Sequence, residues 1–198
     1  TKVMPGDTVM VHHTTITPCQ KEYLLAFHKP AGIVCTTSKI DKNNVIDYSN
    51  FPERIYPVGR LDKESTGLLL LTNNGQLMDD ILRGSNYHEK EYIVHVNKPI
   101  TDSVLQAMAQ GVPILDTITR PCKIRRMGKD CFYITLTQGL NRQIRRMCEY
   151  FDYRVTSLKR IRIMNIELGS LPVGKWRELT PSEIKTLKNL AQNKGEAE

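Results

Sequence analysis

Strands and helices intermixed without regular βαβ alternation predict an α+β domain built on a mixed sheet. Three kinds of segment carry that expectation. Thr66 to Thr72 (TGLLLLT) is a short apolar run bounded by Gly67 and Asn73-Asn74-Gly75. It is too short for a helix and suits a strand buried on both faces. Glu91 to Asn97 and Cys131 to Thr137 read as further strands. Thr101 to Gln110 reads as a helix between them, opened by Thr and Asp and stopped at Gly111.

The remaining elements follow in order. Val3 to Val11 reads as a Pro-Gly-Asp turn entering a strand with no partner before it, and Thr14 to Gln20 as a linker. Tyr23 to His28 reads as a buried strand closed by Lys29-Pro30-Ala31-Gly32. Thr36 to Asn44 is polar and without period, a mobile loop. Gln76 to Arg83 reads as a helix with Leu77 and Ile81 one turn apart. The last helix has the clearest start: Thr180 is the N-cap, Pro181 takes the first helical position and Glu183 closes a capping box. Beyond Gln192 the text is polar and is expected to fray. There is no internal repeat and no low-complexity block.

Composition narrows the function classes. The chain has 198 residues, 40% of them hydrophobic, and a formal net charge of +7. That supports a real core and favours a polyanionic partner or an anionic membrane surface. The longest apolar run, Leu68 to Leu71, is far below the roughly 20 residues a spanning helix needs, so no membrane partner is expected. No charged-then-apolar leader marks the chain for export. Five cysteines without CxxC spacing fit reduced thiols in a cytoplasmic protein, with no zinc site. No heptad seam is present, which favours a monomer.

Charge is concentrated in one place. From Leu140 to Arg162 there are seven arginines and lysines against two acids, Glu149 and Asp152. On a helix from Asn141, residues Ile144, Met147, Cys148 and Phe151 form one apolar stripe, and Arg142, Arg145 and Arg146 point off it. Gly139 and Asn141 supply a turn and a cap, which makes the helix N-terminus an anion site. Guanidinium groups suit phosphate because they offer planar, paired donors. A merely solvated basic face would carry acids at i,i+4 spacing to neutralise it, so contact with RNA is the favoured reading.

A second segment bears chemistry. Tyr56 to Gly67 is a glycine-flanked polar loop that feeds the Leu68–Leu71 run. Asp62, between Arg60 and Lys63, stays ionised there and can serve as nucleophile or base. The plain alternative is a turn aspartate capping the next segment. Lys90-Glu91-Tyr92 opens a strand, where Tyr92 is either a core aromatic or a plate on which a displaced base stacks. The five histidines share no metal-ligand spacing and read as structural or surface residues.

Together, Gly59-Arg60-Leu61-Asp62, Lys90-Glu91-Tyr92 and the run Gly139 to Met147 resemble, in order and spacing, the three signature motifs of RNA pseudouridine synthases. The likeness is to the group containing small-subunit enzyme A and large-subunit enzymes B, E and F, closest to the F branch. It extends over flanking text such as Lys29 to Gly32, Leu70 to Asn73 and Gly111 to Ile114. The resemblance implies a central mixed, mostly antiparallel sheet in two halves flanked by helices, with the catalytic cleft between them. It implies that residues 1–18 are the end of an S4-like RNA-binding domain plus linker, 19–192 the catalytic domain and 193–198 a frayed tail. It makes Asp62 the catalytic aspartate, Arg60 the residue that helps displace the base, Tyr92 the ring packed on uracil and Arg145 the partner of Asp62 in a buried ion pair. RNA contacts are expected from Arg142, Arg146, Lys63, Lys159 and Arg160.

The implied reaction isomerises a uridine in structured RNA, large-subunit ribosomal RNA foremost and transfer RNA second, after flipping the base out of its stack. No metal or cofactor is expected. Two rivals stand beside it. A non-catalytic RNA-binding or ribosome-assembly module explains the charge but gives Asp62 and Tyr92 no shared task. A base-excising glycosidase would place paired carboxylates across the bond, and only Glu64 lies near enough to Asp62 in sequence to be the second.

Overall fold

The computed structural model describes residues 9–11, 14–16, 21–83 and 86–193. In chain order, β1 (Val9–Val11) pairs antiparallel with β2 (Thr14–Ile16) in a small sheet of their own. The segment expected to be a linker thus begins as a strand, because backbone groups of β1 need a partner and the next residues supply it. The preceding residues 3–8 and the polar tail at 194–198 lie outside the described residues.

The main sheet has nine strands. They are β3 (Leu24–Lys29), β4 (Tyr56–Pro57), β5 (Thr66–Thr72), β6 (Lys90–Val96), β9 (Lys123–Arg126), β10 (Cys131–Leu136), β11 (Val155–Ile163), β12 (Ile166–Glu167) and β13 (Trp176–Glu178). A separate hairpin joins β7 (Pro113–Ile114) to β8 (Thr117–Ile118). Along the main sheet the order is β13-β3-β5-β11-β6-β10-β9, with β4 on β5 and β12 on β11. Every pairing is antiparallel except β5 with β11. The expected mixed, mostly antiparallel sheet is therefore present, and its single parallel seam lies where the two halves meet.

Burial explains the strand text. Along β5, Leu68 and Leu70 enter one hydrophobic cluster while Leu69 and Leu71 enter another on the opposite face. β3 does the same with Leu24 and Ala26 against Leu25 and Phe27. Both faces are covered, so the run is continuously apolar instead of alternating. The helices doing the covering are α1 (Val45–Ser49), α2 (Gly75–Leu82), α3 (Asp102–Gln110), α4 (Gln143–Tyr150) and α5 (Pro181–Gln192). A third cluster fills the β6–β10 half, with Leu105 and Met108 of α3 and Ile144, Met147 and Cys148 of α4.

Caps match the sequence where side chains spell them. Thr101 accepts from Val104 N, and Thr180 and Glu183 form the reciprocal capping box. Helix α1 arises where the polar loop 36–44 ends: Asn44 is buried, caps Asp47 N and bridges Val34. The four described cysteines are free thiols, and burial pushes Cys122 up to about 11 and Cys148 up to about 12. Among the described residues no helix is long and apolar enough to cross a membrane.

Two details position the cleft. Gly67 has φ +109, and a Cβ there would clash with the backbone of Arg160 across the β5–β11 seam. Lys29, fully buried at the end of β3, donates through Nζ to the carbonyls of Pro30 (2.9 Å), Lys63 (3.2 Å) and Ser65 (2.8 Å). Burial pushes its ammonium below the ordinary lysine range. One buried cation thus fixes the loop that carries residues 62–65. Gly67→Ala is expected to destabilise the fold by about 3 kcal/mol or more in urea denaturation, from strained backbone plus overpacking. Lys29→Met should cost about 2–4 kcal/mol in the same measurement, because buried carbonyls lose their donor.

Candidate active site

The loop from Gly59 to Ser65 leads into β5. Gly59 takes φ +80, Leu61 is buried with its N–H on Cys35 Sγ (3.3 Å), and Ser65 N donates to Asp62 O (3.0 Å). The turn is held at both ends, leaving the Asp62 side chain at the edge of a cavity of about 530 Å³. Across it stands α4, whose apolar stripe faces the third cluster as the spacing predicts. That packing turns Arg142 and Arg145 toward the loop.

Both arginines converge on one carboxylate oxygen. Arg145 Nε lies 3.4 Å and Arg142 Nη1 3.5 Å from Asp62 Oδ2. Arg145 Nη2 also donates to Ser65 Oγ (3.0 Å), and Arg142 Nη1 to Glu64 Oε1 (3.0 Å). Asp62 Oδ1 has no hydrogen-bond partner among the described residues. The result is a carboxylate gripped through one oxygen and open at the other. The expected ion pair of Asp62 with Arg145 is thus present but is half-buried, with the Asp62 side chain 31% exposed, and it is a network and not an isolated pair. The Glu64 contact holds the Arg142 guanidinium above its ordinary proton affinity, and Glu64 is lowered by a hydrogen bond from its own backbone, reinforced by Arg142.

Tyr92 lies on β6 at the sheet's centre, packed against two clusters at once. It faces the same cavity, opposite Arg160 in the β6–β11 register. Arg60 is exposed at the cavity wall, and Lys63 is exposed on the loop.

Several expected positions differ. The cap of α4 is Arg142 in the left-handed region (φ 50) with no side-chain capping bond, and the helix begins at Gln143 instead of Asn141. Gln143 Oε1 accepts from Leu140 N, while Asn141 gives its carbonyl and Oδ1 to Arg146 (both 2.9 Å). Asn141 therefore does not cap the helix. Arg160, expected at a phosphate, is buried with Nε on Leu68 O (2.8 Å), because its strand position points into the cleft floor. Lys159 alternates to the other face of the sheet, level with Ile93. His88, expected to be structural or on the surface, lines the cavity, and burial lowers its proton affinity.

Four contributors escaped the sequence reading: Lys29, Ser65, Glu64 as the Arg142 partner, and Lys90 in the cavity floor. Lys29, Ser65 and Lys90 sit inside or beside the motif text, the one signal that would have drawn attention to them. Among the described residues lining the cavity, Asp62 is the single carboxylate, facing seven arginines and lysines. Paired acids of a glycosidase are absent from that lining, and Glu64 lies outside it.

Comparison with known proteins identifies the family. The family model for RNA pseudouridylate synthase matches residues 23–150. The chain is 50% identical over 194 residues to the dual-specificity RNA pseudouridine synthase RluF of Escherichia coli strain K12, covering 97% of this chain and 67% of that protein. It is 32% identical over 200 residues to ribosomal large subunit pseudouridine synthase B of Bacillus subtilis strain 168, covering 97% and 82%. A crystal structure of a pseudouridylate synthase superposes with a TM-score of 0.79 at 28% identity, covering 94% of this chain and 83% of that one. An archaeal box H/ACA Nop10–Cbf5 complex shares the fold at TM-score 0.54 and 16% identity, over 85% and 52%. With three motifs in register, the matching fold and half its residues shared with a synthase over nearly its whole length, the chain belongs to the RNA pseudouridylate synthase family and is an RNA pseudouridine synthase.

Proposed function

We propose that this cleft isomerises a uridine of large-subunit ribosomal RNA, with Asp62 as the catalytic group. The observation that carries the reading is the lone carboxylate of a cationic cleft, held through Oδ2 by Arg142 and Arg145 and open at Oδ1. Isomerisation breaks C1′–N1, turns the base and rejoins it through C5. An ionised oxygen beside the sugar–base junction serves that chemistry either as a nucleophile or by taking the C2′ proton. Two arginines pin Oδ2, and fixing one oxygen orients the other.

The other roles follow from position. Tyr92 offers its ring to the flipped uracil, since base–aromatic stacking is worth about 1–3 kcal/mol. Arg60, exposed beside the cavity, fills the space that the target base leaves in the RNA. Lys63 and Arg146, outside the cavity floor, and Arg142 at its rim meet RNA phosphates, supplying affinity without base identity. The ribosomal target is supported by the name of the Bacillus relative, and the dual specificity in the RluF name motivates testing transfer RNA as well.

The test is tritium release from RNA labelled at uracil C5, since forming C5–C1′ must expel that hydrogen. Wild type is expected to release tritium from large-subunit ribosomal RNA, with transfer RNA assayed beside it. Asp62→Asn is expected to release none while still retaining RNA on filters, because the arginine grip loses only its negative partner. Wild-type release by Asp62→Asn would end the assignment. Arg145→Lys cannot reach both Asp62 and Ser65 with one ammonium, so its turnover is expected to fall roughly 10²-fold through misplacement of the carboxylate. Unchanged turnover in that variant would remove Arg145 from the positioning role.

A further inference from the structure

Among the described residues, the cleft floor holds two cations with no counter-ion, Arg160 buried and Lys90 partly buried. Arg160 is 3% exposed; its Nε is spent on Leu68 O, and its Nη2 has no hydrogen-bond partner among the described residues. Its guanidinium carbon lies 6.0 Å from the centre of the Tyr92 ring. Lys90, two residues before Tyr92 on the same face of β6, lines the same cavity. Burial, then repulsion from Arg160, pushes its ammonium down to about 8, and no carboxylate opposes them. The flanking acids Glu89 and Glu91 are both engaged by Arg162, and Asp62 is held by α4. The other charged or titratable groups lining the cavity are Arg60, Arg83, His88, Tyr92, Arg120, Arg142 and Arg145. An uncompensated buried cation is costly. Charge kept there at such cost fits a ligand that is electron-rich at that spot.

We propose that Lys90 and Arg160 are catalytic residues that contact the carbonyl oxygens of the target uracil and stabilise the negative charge arising on the base as C1′–N1 breaks. The bond pair leaves with N1 and spreads over O2, C5 and O4 of the ring. The electron deficiency left at the sugar is met by Asp62. C5 then returns a pair to C1′, its hydrogen departs to water as a proton, and N1 takes a proton from water. The product is an isomer, and no co-reactant is consumed. Preorganised donors aimed at developing charge in an enclosed site are the most effective form of this help. A backbone phosphate is the poorer fit. The floor is enclosed by Leu136, Leu158 and Tyr92, whereas exposed Arg60 and Arg83 stand at the rim, where a hydrated phosphate remains.

This inference rests on the reading that Asp62 and Tyr92 receive the base, so Asp62→Asn is run in parallel. Lys90→Met, Lys90→Arg and Arg160→Met are compared with wild type on one C5-tritiated ribosomal RNA fragment, by single-turnover release and equilibrium binding. Both methionine variants are expected to slow release roughly 10²- to 10³-fold with Kd and its salt slope unchanged. Lys90→Met should melt at or above the wild-type temperature, since it removes a partly buried charge that no carboxylate offsets. Lys90→Arg should retain turnover and keep it above pH 8, where wild type declines as Lys90 loses its proton. Wild-type release rates in both methionine variants would overturn the proposal. So would weakened binding with a salt slope shallower by about one and an unchanged rate for bound RNA, which marks a phosphate contact. Should Lys90→Met fail to fold, an identical alkaline decline in wild type and Lys90→Arg overturns it instead. An active Asp62→Asn refutes the earlier assignment, whereas inactive Asp62→Asn beside fully active floor variants refutes this one alone.

Discussion

The close approach of β5 and β11 at Gly67 is the constraint on which the rest of the site depends. It is the sheet's one parallel seam, and only a residue without Cβ lets the Arg160 backbone come so near. One half of the sheet contributes the Asp62 loop at the start of β5. The other contributes Tyr92 on β6 and, through the strand that follows it, α4. Were the seam wider, the arginines of α4 would stop short of Asp62. Arg160 reinforces it by sending Nε across to Leu68 O, so a backbone contact and a side-chain contact serve one joint.

Around that joint the site is organised by charge more than by shape. Among the described residues lining the cavity a single carboxylate faces an excess of cations, and its two neighbours from α4 share one of its oxygens. Lys29 works from behind, converting three backbone carbonyls into a fixed seat for the loop. It is a buried charge satisfied by neutral acceptors, whereas among the described residues Nη2 of Arg160 has no partner and no carboxylate opposes Lys90. The contrast separates a structural cation from cations whose partner is not in the protein. Stability and function pull apart at the floor for this reason.

Much of the fold was legible in the chain. The leucine run of β5, the threonine caps of α3 and α5 and the apolar stripe of α4 are local patterns, governed by burial and by hydrogen bonds a few residues long. The α4 cap differs from the local text because Gln143 takes the Leu140 N–H and Arg146 takes Asn141 Oδ1, a competition between neighbours that composition does not settle. The strand β2 looks like linker as text because its pairing depends on β1, and α1 has no local signal because its cap Asn44 is buried by a bridge to Val34.

By itself the sequence determined the α+β class, the basic helix, the polar loop bearing Asp62 and, through three motifs, the family. Those are matters of period, composition and local order. Only the tertiary structure decided which oxygen of Asp62 is held, that Lys29 anchors the loop, and that Lys90 and Arg160 line the cavity with Tyr92 while Lys159 does not. Each of these joins residues far apart in the chain, and side chains one position apart on a strand look identical as text yet face opposite sides of the sheet.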